Sequence, residues 1–405
     1  MLRSILVKFP LALSILAAPA LAQQQVVKPP IAVYWMSVET AAGMSMPGMP
    51  AGMMGGRAQG GRHMLLQLGS QRGADTPRAE HDIPPPLGMG NALPLLTPER
   101  VRAAPHPGMP EGMERPRGRM LLYWGCGEGT RPGQPVLLDF ARLAEGQTPP
   151  NMVSHHVSAP TPPAPGRNRT YGEWPNKEDN KQVPESASLR GEHMVKGSYS
   201  PEIRFSLGET HDFMARVSLS SAPRGEGAAS VSWNSIPNAT GYFATAFGST
   251  GGEEMVAWSS SELQDMGGEL MSYVPPAEVA RLIREKVVLP PSTTECTVPA
   301  EVVKKAGGSP FFNFVAYGPE ANFVQPPRPS DPKLAWEPLW TTKARFKSTA
   351  SLLLGEHAAR ERRERPEARP DRESRESAER QPAPSPAEPN PVDEGVKALR
   401  GIFGR

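Results

Sequence analysis

The sequence predicts a mainly β protein with two small antiparallel β-rich domains, a proline-rich linker between them and a disordered charged tail. Short segments rich in β-branched and aromatic residues cluster in residues 30–145 and 196–354, where turn-forming residues separate them. The 48 prolines, the 39 glycines and an apolar fraction of only 38% exclude one large, continuously packed core. Each block is near the usual size of a single domain.

Residues 1–22 have the pattern of a secretory signal peptide. Arg3 and Lys8 supply positive charge, an apolar stretch follows, and an Ala-Leu-Ala cleavage site stands directly before Gln23. The alternative, an uncleaved membrane anchor, needs about 18 consecutive apolar residues, and Lys8 and two prolines bracket a shorter run. We therefore expect the protein to be exported. The periplasm is the preferred destination, and the external medium is the alternative.

The first block, residues 30–145, contains a duplicated loop. The sequence PGMPAGM at 47–53 recurs as PGMPEGM at 107–113, and a similar strand candidate follows each copy. A repeat of this kind indicates a repeated structural element, so we expect two related β-hairpins. The predicted hairpins pair 31–38 with 64–68, and 119–124 with 135–140.

The methionines of the duplicated loops carry a hint of specific chemistry. Thioethers are soft ligands that suit Cu(I), and they remain usable where thiols would oxidise. Methionine is also an adaptable surface residue, and the loops have no fixed ligand spacing, so an interaction loop is the alternative. The candidate copper ligands are Met44, Met46, Met49, Met53, Met54, Met109 and Met113, with His63, His81 and His106 as nearby nitrogen donors.

The chain has two cysteines, Cys126 and Cys296, one in each block. In an oxidising compartment they could form a disulfide between the blocks. Two free thiols are the alternative, because a bridge requires Cα atoms within about 7 Å and the sequence does not give that distance.

Between the blocks, residues 146–195 are rich in proline and polar residues and predict a linker. The adjacent His155 and His156 lie on this polar segment, where we expect them to be solvated and not bound to metal.

The second block, residues 196–354, predicts a β-sandwich with one short helix. Its strand candidates are 201–207, 212–220, 229–233, 241–247, 254–258, 293–298 and 311–318. Within 276–288, Val279, Leu282 and Ile283 have helical spacing, which predicts a helix that covers the sheet.

The stretch VSWNSIPNATGY at 231–242 resembles the strand–turn–strand core of fibronectin type III-like domains. The resemblance extends over about 200–347 and implies that Trp233 and Tyr242 point inward and pack across two sheets. It also implies a spacer or a binding module, since such domains mostly serve these roles.

The end of the chain changes character twice. Residues 355–391 are dominated by Arg, Glu, Pro, Ala and Ser, which predicts a disordered tail. Residues 392–405 then place apolar side chains on one face of a short helix that would be marginal alone in water. It could bind an envelope protein, bind a membrane surface, or fold back on the β-body or fray. The predicted docking residues are Val396, Leu399, Ile402 and Phe403.

Charge and motifs narrow the classes of function. The net charge of +2 comes without a basic face carrying stacking aromatics, so a nucleic-acid partner is not indicated. Nucleophile-elbow, zinc-protease, P-loop and dinucleotide motifs are missing. The preferred reading is an exported, non-enzymatic binding or structural module of the cell envelope without a cofactor. The alternatives are a copper-binding protein and a hydrolase with a non-local site around His193 or His211.

We predict that the exported chain begins at Gln23, because the cleaving peptidase requires small residues before the cut. Mass spectrometry of the exported protein measures this directly. The substitution Ala22→Arg should block processing, whereas Gln24→Arg, just beyond the cut, should leave it intact. Export of an uncleaved wild-type chain would contradict the prediction.

Overall fold

The computed structural model describes residues 25–45, 60–98, 118–147, 149, 156–249, 251, 253–265 and 267–355. Within these ranges the protein is mainly β and contains several sheets, which confirms the predicted fold class. The predicted signal peptide at 1–22, the tail after residue 355 and the segment 392–405 lie outside the described residues.

Sixteen strands, three α-helices and two short 3-10 helices occur in the described ranges. The strands are β1 Ala32–Ser45, β2 Gly61–Ser70, β3 Ala79–Asp82, β4 Ala92–Leu95, β5 Arg119–Trp124, β6 Val136–Asp139, β7 Thr170–Trp174, β8 Gly191–Gly197, β9 Ser200–Leu207, β10 Leu219–Arg224, β11 Ala228–Trp233, β12 Gly241–Ser249, β13 Glu254–Ser259, β14 Glu295–Val298, β15 Phe311–Gln325 and β16 Trp340–Leu353. The α-helices are α1 Phe140–Ala144, α2 Pro276–Arg284 and α3 Ala300–Lys305.

The largest sheet has nine strands in the order β6-β5-β13-β12-β15-β16-β1-β2-β7. Four central strands come from the second predicted block, and strands of the first block flank them on both sides. The junctions, β13 with β5 and β16 with β1, are the parallel pairs of this sheet. The structure therefore differs from the expectation of two separate modules. The physical reason is that β13 and β16 would otherwise be sheet edges with unpaired backbone groups, and β5 and β1 satisfy those groups.

The duplicated sequence corresponds to duplicated positions in the sheet. The strands that follow the two PGMPxGM copies are β2 and β5, and each lies second from one edge of the nine-stranded sheet. Both predicted hairpins are confirmed, since β1 pairs with β2 and β5 with β6 in antiparallel register.

The predicted linker 146–195 contributes to the folded body, which corrects the interpretation of this segment as a connector. It contains β7, an edge strand that pairs antiparallel with β2, and the start of β8. Trp174 and Leu189 are fully buried, so the segment adds apolar area to the core.

The strand candidate at 212–220 is also corrected, because a strand begins there only at Leu219. The Asp212 carboxylate instead anchors an irregular segment. It accepts hydrogen bonds from the backbone N–H groups of Leu189 and Phe213 and from the Ser188 hydroxyl. A short acidic side chain that bonds nearby backbone groups favours a turn over a strand.

Two smaller sheets cover the inner face of the large sheet. They are a three-stranded sheet, β10-β11-β14, and a four-stranded sheet, β4-β3-β8-β9. The buried side chains between the sheets form one continuous apolar core, which corrects the expectation that composition excludes such a core, because both predicted blocks contribute to it. Trp233 of the three-stranded sheet packs against Tyr242 of the large sheet at a ring-centroid distance of 5.8 Å. The inward packing of this pair, implied by the fibronectin type III resemblance, is thus present.

The outer face of the large sheet carries a second, smaller core. Helix α2 confirms the helix predicted within 276–288 and buries Val279 and Leu282 against Phe243 and Tyr317 of the sheet. The rest of this face is polar around β1 and β16.

Cys126 and Cys296 form a disulfide with their Cα atoms 5.2 Å apart. Cys126 follows β5 of the large sheet, and Cys296 lies on β14 of the three-stranded sheet. The bond therefore joins two sheets and closes a loop between residues 170 apart in sequence.

We predict that the double substitution Cys126→Ala/Cys296→Ala lowers the free energy of unfolding by roughly 2 to 5 kcal/mol, because a long closed loop restricts the unfolded chain. Urea denaturation measures the change. A reductant should lower the wild-type midpoint toward that of the variant and leave the variant unmoved. Equal midpoints for both proteins under oxidising conditions would contradict the role of this bond.

Candidate functional site

Three buried aromatic side chains, Tyr34, His81 and His193, form a series of hydrogen bonds between the large sheet and the four-stranded sheet, which we call the buried chain. The Tyr34 hydroxyl lies 2.8 Å from Nδ1 of His81, and Nε2 of His81 lies 3.0 Å from Nδ1 of His193. Nε2 of His193 lies 2.7 Å from the carbonyl oxygen of Leu189. Phe205 stacks on the His193 ring at 4.9 Å between centroids, which shields the chain from solvent.

The last acceptor fixes the direction of every hydrogen bond in this chain. The Leu189 carbonyl can only accept, so Nε2 of His193 carries a proton and its Nδ1 accepts from Nε2–H of His81. Nδ1 of His81 then accepts from the Tyr34 hydroxyl. Burial lowers the pKa of His81, and the nearby His193 lowers it further; burial also lowers the pKa of His193. Both histidines are therefore neutral at neutral pH.

The structure shows the surroundings of His193 and His211, the two histidines considered as part of a hydrolase site. His193 uses both ring nitrogens in the buried chain, which leaves no lone pair to accept a proton from a nucleophile. His211 lies in a turn, with its Nδ1 3.1 Å from the Thr210 hydroxyl and its ring 6.1 Å from Phe346. The hydrolase reading stays a prediction.

The candidate copper site falls mainly outside the described residues. Met44 lies half-buried in β1, opposite Ser351 of β16, and His63 is exposed on β2. His81, considered as a nitrogen donor, has both nitrogens engaged in the buried chain. Within the described ranges, no group of three or more His, Cys, Asp or Glu side chains could hold a metal ion. The remaining candidates, Met46, Met49, Met53, Met54, Met109, Met113 and His106, lie outside these ranges.

The outer surface of β1 and β16 presents a second cluster, which we call the cation face. Alternation along β16 turns Lys343, Arg345 and Lys347 to this face while Ala344 and Phe346 enter the core. The parallel register with β1 places one side chain opposite each cation. The cross-strand pairs are Trp35 with Lys343, Ser37 with Arg345, and Glu39 with Lys347.

Arg345 lies at the centre of the cation face and contacts two aromatic rings. Its guanidinium carbon lies 4.7 Å from the centroid of Trp35 and 4.4 Å from that of Tyr273, which comes from the segment before α2. Its Nε donates a hydrogen bond to the Ser37 hydroxyl at 2.7 Å. The two cation–π contacts and the hydrogen bond from Nε together hold the guanidinium in place.

The cation face carries more positive than negative charge. Lys343 pairs with Glu320, and Lys347 lies 3.6 Å from Glu39. Among the described residues, no carboxylate forms an ion pair with Arg345. Burial lowers the pKa of Arg345 and also that of Lys347, so both cations are partly removed from water.

The sequence indicates the cations of this site but not their aromatic partners. The alternation KARFK at 343–347 indicates a strand with one cationic face, and it lies beyond the last predicted strand, 311–318. Trp35 lies about 300 residues away and Tyr273 in an irregular segment, so no local pattern indicates that they flank Arg345.

Comparisons of the chain with known protein families, with curated proteins and with solved structures find no match. A search of the described residues for a helix of sufficient length and apolarity to cross a membrane also gives none.

We predict that stability rises with pH up to about 6.5 because of the buried chain. The folded pKa of His81 and of His193 is lowered, so the unfolded state binds more protons below the unperturbed pKa of about 6.5. Protons therefore favour unfolding in that range, and the contribution is constant above it. Each histidine accounts for up to about 1.4 kcal/mol per pH unit.

Urea midpoints between pH 5.5 and 7.5 measure this dependence. His81→Gln should make the slope shallower, whereas His63→Gln, at an exposed position, should not change it. A wild-type stability that is flat over this range would contradict the assignment of neutral histidines.

Proposed function

We propose that the protein is an exported, non-enzymatic binding module of the cell envelope. The observation that carries this proposal is the cation face, where three cations share two carboxylates and Arg345 contacts Trp35 and Tyr273. Glu320, opposite Arg345 on β15, acts on it electrostatically, but no carboxylate of the described residues forms an ion pair with Arg345. A partly desolvated cluster with more cations than carboxylates costs stability. Local features that cost stability concentrate at sites of function, so this surface is the best candidate for ligand contact.

Export is supported by two independent features. The first is the signal-peptide pattern of residues 1–22. The second is the Cys126–Cys296 bond, because disulfides persist mainly in oxidising compartments such as a periplasm or the external medium.

The choice of a binding module over an enzyme has support from the buried chain. His81 and His193 have the lowered pKa values that catalytic bases often show, but every ring nitrogen already has a partner within the core. Their role in this proposal is to position β1 against β3 and β8. The sandwich-like packing of Trp233 and Tyr242 is also typical of spacer and binding domains.

The terminal segment 392–405 has a separate role in the proposal, as a tether to an envelope protein or a membrane surface. The argument rests on its sequence alone, in which Val396, Leu399, Ile402 and Phe403 fall near one helical face.

Site-specific photo-crosslinking in intact cells tests this function. A photoreactive residue replaces Ser272, which is exposed beside Tyr273, or Ser221, which is exposed on β10. We predict a crosslinked product from position 272 and none from 221, because only the former borders the cation face. The exported fraction should contain the chain with Cys126 and Cys296 oxidised.

The same strain carries a second comparison, between the full chain and one that ends at Pro391. We expect loss of the envelope tether, and unchanged crosslinking at 272, in the shorter chain. Retention of the protein in the cytoplasm with reduced cysteines would contradict export, and identical crosslinks from 272 and 221 would contradict a specific binding face.

A further inference from the structure

We propose that the cation face binds an oxyanion, a carboxylate or a phosphate group, at the open edge of the Arg345 guanidinium. This inference rests on the proposed binding function and names the chemistry of the ligand.

The contacts of Arg345 leave the N–H donors of its Nη atoms available to a ligand. Trp35 and Tyr273 both contact the guanidinium with their ring faces, and Nε donates a hydrogen bond to the Ser37 hydroxyl. A guanidinium has five N–H donors, and no residue of the described ranges accepts from the Nη atoms of Arg345. The edge with these donors is the part that binds carboxylate and phosphate oxygens in a bidentate manner.

The charges around Arg345 favour an anion. Lys343 and Lys347 stand on either side along β16, and their carboxylate neighbours Glu320 and Glu39 already have partners. The Glu39 carboxylate also accepts a hydrogen bond from the Thr349 hydroxyl at 2.6 Å. The local sum of three cations and two carboxylates leaves about one positive charge, centred on the residue with the open donors. One oxyanion would neutralise it.

Other ligand classes fit this surface less well. Each of the two rings already contacts two cations, because Lys343 also lies over Trp35 and Lys347 also lies over Tyr273. An aromatic ligand would have to displace these cation–π contacts in order to stack there. A cationic ligand would be repelled by the excess positive charge. The available Nη donors and the excess positive charge both favour an oxyanion.

The test follows the Trp35 indole by nuclear magnetic resonance in the mature chain, residues 23–405. Selective ¹⁵N labelling gives one indole signal for each of the seven tryptophans, and Trp35→Phe identifies the signal of interest. Inorganic phosphate and acetate are titrated separately at constant ionic strength, with chloride as the balancing salt. We expect a saturable shift of the Trp35 signal, and the anion with the lower Kd shows whether the site prefers phosphate or carboxylate.

Variants connect the shift to Arg345. Arg345→Gln should raise the Kd about tenfold or more, because charge-assisted hydrogen bonds are lost. Arg345→Lys keeps the charge without the planar fork and should give an intermediate Kd. Arg224→Gln is the matched control. Arg224 lies on β10 and already pairs with Glu128 and Glu295, so its substitution should leave the Kd unchanged. Unmoved signals of the other six tryptophans show that each variant is folded.

Two outcomes overturn the inference: a Trp35 signal that neither anion moves beyond the chloride control, or a Kd that Arg345→Gln and Arg345→Lys leave unchanged. The crosslink at position 272 separates this result from the proposed function. If that crosslink persists while the anions fail to bind, the binding module stands and its ligand has another chemistry.

Discussion

The parallel pairing of β1 with β16 is the constraint on which the rest of the structure depends. It joins the first and last strands of the described chain and places β1 third from an edge of the nine-stranded sheet. Without it, the first hairpin would have no connection to the second block within that sheet. The same pairing aligns Ser37 with Arg345 and so assembles the cation face from residues about 300 apart.

Strand β1 connects two different environments through consecutive residues. Tyr34 points into the core and donates to His81, whereas Trp35 points to the other face and stacks on Arg345. The buried chain is neutral and fully hydrogen-bonded, which favours one position of β1 against the four-stranded sheet. A strand held in this way can keep an aromatic ring in place beside a partly desolvated cation, so order in the core and the geometry of the cation face are physically linked.

Local features of the fold were accessible from the sequence, and long-range ones were not. Both hairpins, helix α2 and the inward Trp233–Tyr242 pair follow from alternation, helical spacing and turn residues within a few dozen positions. The parallel pairs leave no such pattern, because their strands are far apart in sequence. Strand β7 is a five-residue edge strand in a proline-rich stretch. The many prolines and polar residues around it predict a linker, although Tyr171 and Trp174 favour a strand. The cations of the site were visible as alternation, but their aromatic partners depend on tertiary contacts.

Hydrogen exchange of backbone amides followed by mass spectrometry tests the central role of the β1–β16 pair most directly. Because the two predicted blocks share one sheet, amides of β1, β5, β13 and β16 should exchange together, with a common opening free energy close to that of global unfolding. That result would show that the blocks unfold as one cooperative unit. Exchange of β1 and β5 at much lower free energy than β13 and β16 would show that the blocks open separately, and would contradict the account.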